Sequence, residues 1–352
     1  MNAFDINKIV RSNILKLKPY ASARDEFKGG AEVFLDANEN PFGSLNRYPD
    51  PKQSSLKKRL SEIKDIPTNQ IFLGNGSDEV IDLAFRIFCE PGKDKALTFS
   101  PSYGMYNVSA EINDVELIEL PLNQSFEIDT EDLKTYLKEE RLKLIFVCSP
   151  NNPTGNTFQR STIEYILKNF KGIVLIDEAY IDFSLTASYM QELKNYPNLI
   201  ISQTFSKAWG LAGARVGVAY SSKAIIDLYT KVKPPYNISS LNQEEVLKKL
   251  ENIAQFEIEK NIILNEKNKL INQLSGIELV KKIHPSMANF LLVEVDNANE
   301  VYIKLVEEHI IIRNRNSVVR NCLRITIGSE QENKKLIKAL EKINSELITE
   351  KL

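Results

Sequence analysis

The sequence predicts an α/β fold, with a large domain on a mainly parallel central sheet flanked by helices and then a smaller α+β domain. Between about residues 52 and 235, short apolar runs alternate with helical stretches, as in strands buried on both faces and joined by helices. After the breaker "VKPPYN" (232–237) the pattern changes to a long helical stretch and then short strands. A length of 352 residues also exceeds what one small core organises. The expected bounds are an arm over 1–46, a large domain over 47–235 and a small domain over 236–352.

The arm reads as one short helix followed by the turn-rich "LDANENPFG". Strands are expected at "IFLG" (71–74), "KALTFS" (95–100), "VELIEL" (115–120), "LKLIFVCS" (142–149), "GIVLID" (172–177), "LIIS" (199–202) and "VGVAY" (216–220). Helices are expected at "DEVIDLAFRIFC" (78–89), "EDLKTYLKEE" (131–140), "STIEYILKNF" (161–170) and "SKAIIDLYTKV" (222–232). One long helical stretch is expected from about 241 to 274, its mixed charges reading as a solvated face. In the small domain "IELVKKI", "ANFLLVEV" and "CLRITIG" read as strands, with a helix near 297–308 and a last one from about 330.

Composition narrows the function. A formal net charge of −2 offers no broad basic field for nucleic acid or an anionic membrane. No apolar run approaches the ~20 residues that span a bilayer, and the first twenty residues lack the apolar core of a secretory leader. The three cysteines, Cys89, Cys148 and Cys322, are widely spaced, which fits a reducing cytoplasm without a disulfide framework or zinc site. With only two histidines, neither in metal-ligand spacing, no metal is expected, and proton transfer falls to lysine, tyrosine or a carboxylate.

Four stretches carry chemistry. "CSPNNPTG" (148–155) follows a strand; alone it is equally a surface turn, but ligands of open α/β sheets bind at such carboxyl ends. "VLIDEAYIDF" (174–183) buries a strand and is then expected to expose Asp177, Glu178 and Tyr180, where a capped strand end and a partner for a cationic ring nitrogen are both open readings. "GNGSDEV" (74–80) opens a helix after two glycines; alone it is an ordinary N-cap, and it is also a phosphate site. "TFSKAWGLAGAR" (204–215) sets Thr204, Ser206 and Arg215, a phosphate-binding set, beside Lys207, which a partly apolar pocket would make nucleophilic. Together they ask for one planar ligand with an aldehyde for Lys207, a ring nitrogen for Asp177, a phenolic oxygen for Tyr180 and Asn152, and a phosphate for Ser77, Asp78, Ser206 and Arg215. Pyridoxal 5′-phosphate has these groups.

The chain resembles the fold-type-I, pyridoxal-phosphate-dependent aminotransferases, and more narrowly the histidinol-phosphate aminotransferase family of histidine biosynthesis. The likeness runs nearly end to end through "LKPYASARDEF" (17–27), "LDANENPFG", "NRYPDP" (46–51), "GNGSDE", "PSYGMY" (101–106), "SPNNPTG", "DEAY", "TFSKAWGLAGARVG" and "CLRITIGS" (322–329). The resemblance implies a homodimer that moves an amino group from histidinol phosphate to 2-oxoglutarate. Lys207 would hold the cofactor and shuttle the proton, Tyr103 would stack on its ring, Asp177 would keep the ring nitrogen protonated, and Asn152 and Tyr180 would bind the ring oxygen. Backbone N–H groups at Ser77 and Asp78 would anchor the phosphate with Ser206 and Arg215, assisted by Thr204. Arg324 would clamp the substrate carboxylate or phosphate, and Arg313, Tyr20 and a Tyr48 from the other subunit would complete the substrate pocket. The segment between Arg313 and Arg324 is short and carries Arg315 and Arg320 as well, which leaves open which arginine meets the substrate phosphate. Aromatic-amino-acid aminotransferases and threonine-phosphate decarboxylases share the scaffold. A cofactor-sensing module without catalysis is a remoter reading, disfavoured by the near-neutral charge and by the lack of a basic winged-helix stretch before the arm.

Overall fold

The computed structural model describes residues 4–20 and 33–349. Residues 21–27 of the "LKPYASARDEF" motif, and the parts of the arm and small domain at 1–3, 21–32 and 350–352, lie outside the described residues.

Seven strands form the large sheet: β1 (Ile71–Asn75), β2 (Lys95–Ser100), β3 (Glu116–Pro121), β4 (Leu142–Cys148), β5 (Ile173–Asp177), β6 (Leu199–Thr204) and β7 (Val216–Ser221). Their order is β1-β7-β6-β5-β4-β2-β3, parallel from β6 through β3. Strand β7 alone runs antiparallel to both neighbours, so the expected mainly parallel sheet is what forms. Such strands need cover on both faces. In β5, Val174 and Ile176 enter one core, and Ile173 and Leu175 enter the other. By the same period of two, Asp177 falls on the face of Ile173 and Leu175.

The helices are α1 (Ser12–Lys16), α2 (Ser54–Lys64), α3 (Ser77–Phe88), α4 (Met105–Ile112), α5 (Thr130–Tyr136), α6 (Arg160–Asn169), α7 (Lys223–Val232), α8 (Ser240–Glu251), α9 (Ile253–Leu274), α10 (Ala298–Glu307) and α11 (Glu330–Thr349). The helix expected over 131–140 ends earlier, at Tyr136. The single stretch expected over 241–274 is two helices. Asn252 separates them, and its side chain accepts from the Gln255 N–H and caps the second. Val246 and Leu250 of α8 and Phe256 of α9 join the core of the large sheet, while Leu270 and Leu274 of α9 join the small one.

The small sheet has the order β10-β11-β9-β8, with β8 (Val280–Ile283), β9 (Phe290–Val295), β10 (Arg313–Asn314) and β11 (Cys322–Thr326), antiparallel throughout. Leu323 and Ile325 enter its core with Leu291, Val293 and the helices. Alternation therefore turns Arg324 to the opposite face, where its guanidinium sits 5.4 Å from the Phe290 ring centroid. Among the described residues no helix is long and apolar enough to cross a membrane.

Candidate active site

Lys207 lies on the tight turn between β6 and β7. The Leu211 N–H donates to Phe205 O at 2.9 Å, and the Gly210 N–H donates to Lys207 O at 3.1 Å. Trp209 anchors this turn by stacking on Phe256, with centroids 3.8 Å apart. Apolar packing on both sides of the lysine therefore fixes where its stem begins.

The carboxyl ends of the parallel strands surround a cavity of about 170 Å³. It is lined by Ser77, Asp78, Tyr103, Asn152, Asp177, Tyr180, Thr204, Ser206, Lys207, Arg215 and Arg324, together with Cys148 and Ala179. All ten residues expected to bind cofactor are thus brought to one place, as an open α/β sheet allows. Tyr20, Tyr48 and Arg313 do not line it. Tyr20 is 72% exposed, and Tyr48 stacks on Tyr236 with centroids 4.4 Å apart. Arg313 pairs across β10 and β11 with Arg324. Arg313 and Arg320 are exposed, whereas Arg315 is half-buried with its Nε enclosed and without a hydrogen-bond partner.

The expectation that Asp177, Glu178 and Tyr180 are exposed is corrected: all three are buried. Tyr106 of α4 meets Asp177 and Phe290 of β9 packs on Tyr180 at this strand end, and hydrogen bonds make the burial tolerable. Glu178 has its own set of donors, the Ser188 hydroxyl at 2.6 Å, the Tyr189 N–H at 2.7 Å and the Gln203 amide at 2.9 Å, and takes no part in the cavity. Asp177 accepts from the Ala179 N–H at 3.1 Å and from the Tyr106 hydroxyl at 2.9 Å. Tyr106 falls within "PSYGMY", and its one signal in the sequence is a position three residues after Tyr103.

At the opposite end, Gly76 takes the N-cap of α3 with φ +80°, and no side chain caps the first turn. A Cβ on Gly76 would lie 2.6 Å from Arg215 Nη2, and one on Gly217 would lie 2.3 Å from the Ser77 nitrogen. These two glycines let the helix start, β7 and the guanidinium pack into one corner whose free N–H groups and positive charge suit an anion. Arg215 donates to Asp78 at 3.2 Å, and the Tyr103 hydroxyl donates to the same carboxylate at 3.0 Å. The Thr204 hydroxyl accepts from the Ser206 N–H at 3.1 Å and braces the turn.

Arg324 joins the two sheets at the cavity, donating to Asn152 Oδ1 at 2.5 Å, while the Asn152 amide donates to the Tyr180 hydroxyl at 3.4 Å. Burial pushes the Lys207 ammonium below its ordinary range, and the Arg324 guanidinium adds to this against the pull of Asp177 and Asp78. Burial raises the Asp177 carboxyl to about 6, opposed by its two donors. Arg324 is itself pushed down by burial and by Arg313.

Burial of Asp177 has a consequence for stability. Its folded value of about 6 lies above the ordinary 3.8. Between those values the native protein binds more protons than the unfolded chain, so this group's contribution falls as pH rises through that window. Cofactor-free Asp177→Asn protein is therefore expected to be more stable than the unsubstituted protein above pH 6, by on the order of 2 kcal/mol, and to lose the advantage near pH 4. Chemical denaturation of both at pH 4 and pH 8 checks the sign.

A sheet of this order, with a lysine, a buried carboxylate and an arginine beside a helix start at its strand ends, is the arrangement of the aminotransferase scaffold, which other enzymes share. The family described as aminotransferase class I and II matches residues 16–340. The histidinol-phosphate aminotransferase of Christiangramia forsetii is 53% identical over 351 residues, covering 98% of this chain and 100% of that protein. The crystal structure of the histidinol-phosphate aminotransferase from Clostridium acetobutylicum has a TM-score of 0.78 at 27% identity, covering 86% of this chain and 92% of that one. That from Sinorhizobium meliloti, in complex with pyridoxal-5′-phosphate, has a TM-score of 0.79 at 22% identity, covering 88% and 90%, and speaks for the fold. The chain belongs to the histidinol-phosphate aminotransferase family within the class I and II aminotransferases.

Proposed function

We propose that the chain exchanges an amino group between L-histidinol phosphate and 2-oxoglutarate, giving imidazole-acetol phosphate and L-glutamate, with pyridoxal 5′-phosphate as cofactor. The observation that carries this reading is the meeting of Lys207, Asp177, Arg215 and Arg324 around one cavity. The donor set fits the cofactor: a buried carboxylate with no cation within salt-bridge distance among the described residues, an amine, two ring-oxygen donors and a helix N-terminus beside an arginine. When bound, the cofactor's conjugated ring accepts the electron pair left as the substrate's Cα proton departs.

The chain's residues do the rest. Lys207 holds the cofactor through its ε-amine and is the base for the Cα proton. Its lowered proton affinity leaves more neutral amine near pH 7 than a lysine in water has. Asp177 would pair with the ring nitrogen and keep it charged. Asn152 and Tyr180 hydrogen-bond the ring oxygen, and Tyr103, tied to Asp78, covers the ring. The first-turn N–H groups at Ser77 and Asp78, with Ser206 and Arg215, hold the phosphate, and Thr204 steadies Ser206. Arg324 takes the carboxylate of glutamate or the phosphate of histidinol phosphate, since a planar guanidinium pairs bidentately with either. Arg313, Tyr20 and Tyr48 complete the substrate pocket.

The working form is a homodimer in the cytoplasm, with an arm over 1–46, a large domain over 47–235 and a small domain over 236–352. The arm and the start of the large domain support the dimer: Leu35, Phe42, Leu45 and Tyr48 are half or more exposed on one short segment, an apolar surface suited to a second copy. Three buried free cysteines support the compartment.

An amino-donor panel with 2-oxoglutarate, read by glutamate formation, tests the reaction. Histidinol phosphate is expected to turn over fastest. Carbon dioxide release from phosphothreonine, or preference for an aromatic amino acid, would overturn the assignment. A mixing experiment tests the shared site. Tyr48→Ala and Lys207→Ala proteins are each expected to be poor, and co-refolding them should restore one working site per heterodimer. No recovery would mean that Tyr48 serves its own chain.

A further inference from the structure

We infer that Tyr106 is a positioning residue that, through its hydrogen bond to Asp177, keeps the proton on the cofactor's ring nitrogen. The inference rests on the cofactor reading above. Tyr106 lies in α4 and is fully buried. Its ring stacks on Phe146 with centroids 4.9 Å apart and meets Tyr103 edge-on at 5.7 Å and 89°. These contacts hold its hydroxyl between Asp177 Oδ2, to which it donates at 2.9 Å, and the Cys148 thiol. The other carboxylate oxygen accepts from the Ala179 N–H. Both oxygens are thus oriented from the protein side, and the carboxylate is presented to the cavity it lines.

A buried phenol needs an acceptor, and a backbone carbonyl suffices. Tyr229, equally buried, uses one, donating to Val80 O at 3.0 Å. Tyr106 instead donates to a buried carboxylate. A hydrogen bond to the charged form favours that form. With the donor present the carboxylate holds a proton less tightly, so a proton shared between it and a ring nitrogen stays on the nitrogen. Without it the proton moves toward Asp177, the pair becomes neutral, and the ring withdraws electrons less strongly.

Tyr106→Phe keeps the stacked ring and removes only the hydroxyl. With ¹⁵N-labelled pyridoxal phosphate bound, the ring-nitrogen resonance of this variant is expected to move toward the unprotonated position at pH 8, and Cα deprotonation in single turnovers is expected to slow about tenfold or more. In the cofactor-free protein, the ¹³C resonance of Asp177 is expected to titrate roughly one pH unit higher. Tyr229→Phe, which removes a hydroxyl at the same depth, should move neither signal. In an Asp177→Asn background the Tyr106 change should add nothing. A Tyr106→Phe protein that loses stability but leaves both resonances in place would reduce the residue to a packing role and overturn the inference. Failure of the unsubstituted protein to bind the labelled cofactor would instead sink the cofactor reading, while the Asp177 titration would still judge the hydrogen bond.

Discussion

Replacing Lys207 by alanine is expected to lower kcat by about 10⁴-fold or more while leaving the fold intact. The side chain makes no hydrogen bond or ion pair among the described residues, and its Nζ lies 5.7 Å from the Tyr180 ring centroid. Removing it breaks no structural bond, so stability should stay within ~0.5 kcal/mol. What is lost is the one amine among the described residues that line the cavity and, on the proposed reading, both the covalent hold on the cofactor and the base for the Cα proton. Among the described residues no histidine lines the cavity to take over. Borohydride reduction followed by peptide mapping separates this reading from a general loss of binding. The unsubstituted protein should carry the label on the peptide containing residue 207 and the variant should carry none. A label on another lysine would remove the basis of the mechanism.

Arg324→Ala is expected to lower kcat/KM for both half-reactions by on the order of 10²–10³-fold. Loss of one partner from a desolvated charge pair costs about 2–5 kcal/mol, and each 1.4 kcal/mol is tenfold. On the proposed reading both halves suffer, because one guanidinium would serve glutamate and the phosphorylated substrate in turn. A second effect has a definite sign. Arg324 is among the groups that push the Lys207 ammonium down. Its removal should therefore raise the lysine's value and move the acid-limb rise in kcat, where the amine loses its proton, to higher pH. Single-turnover measurements with each substrate, and a pH profile, check both. A variant defective with histidinol phosphate alone would assign the glutamate carboxylate to another residue.

The two effects rest on residues whose legibility differed. Lys207 stood out because it sits between hydroxyls and an apolar turn, close to two strand-like runs, and local sequence suffices for that. Arg324 carries no such local sign: "CLRITIG" reads as a strand with an arginine on one face, and only its family likeness marked it. Glu39 carries no local sign either, yet it accepts from Arg47 at 2.7 Å and from the Tyr48 N–H at 2.7 Å, and so builds the turn that presents Tyr48. Glu178 sits beside Asp177 in the chain but is directed elsewhere, because successive residues at a strand end point to opposite faces.

By itself the sequence determined the parallel α/β layer, the strand ends that bear the polar motifs and the chemical set that suits a phosphorylated pyridine aldehyde. These follow from hydrophobic period and short-range spacing, which are properties of neighbouring residues. Tertiary structure alone decided that Asp177 is buried, that Tyr106 from α4 donates to it across 71 positions, and that Arg324 reaches Asn152 across 172. Such contacts depend on which faces of two sheets and a helix come together. A one-dimensional pattern states which face of each element is apolar, but packing selects its partner.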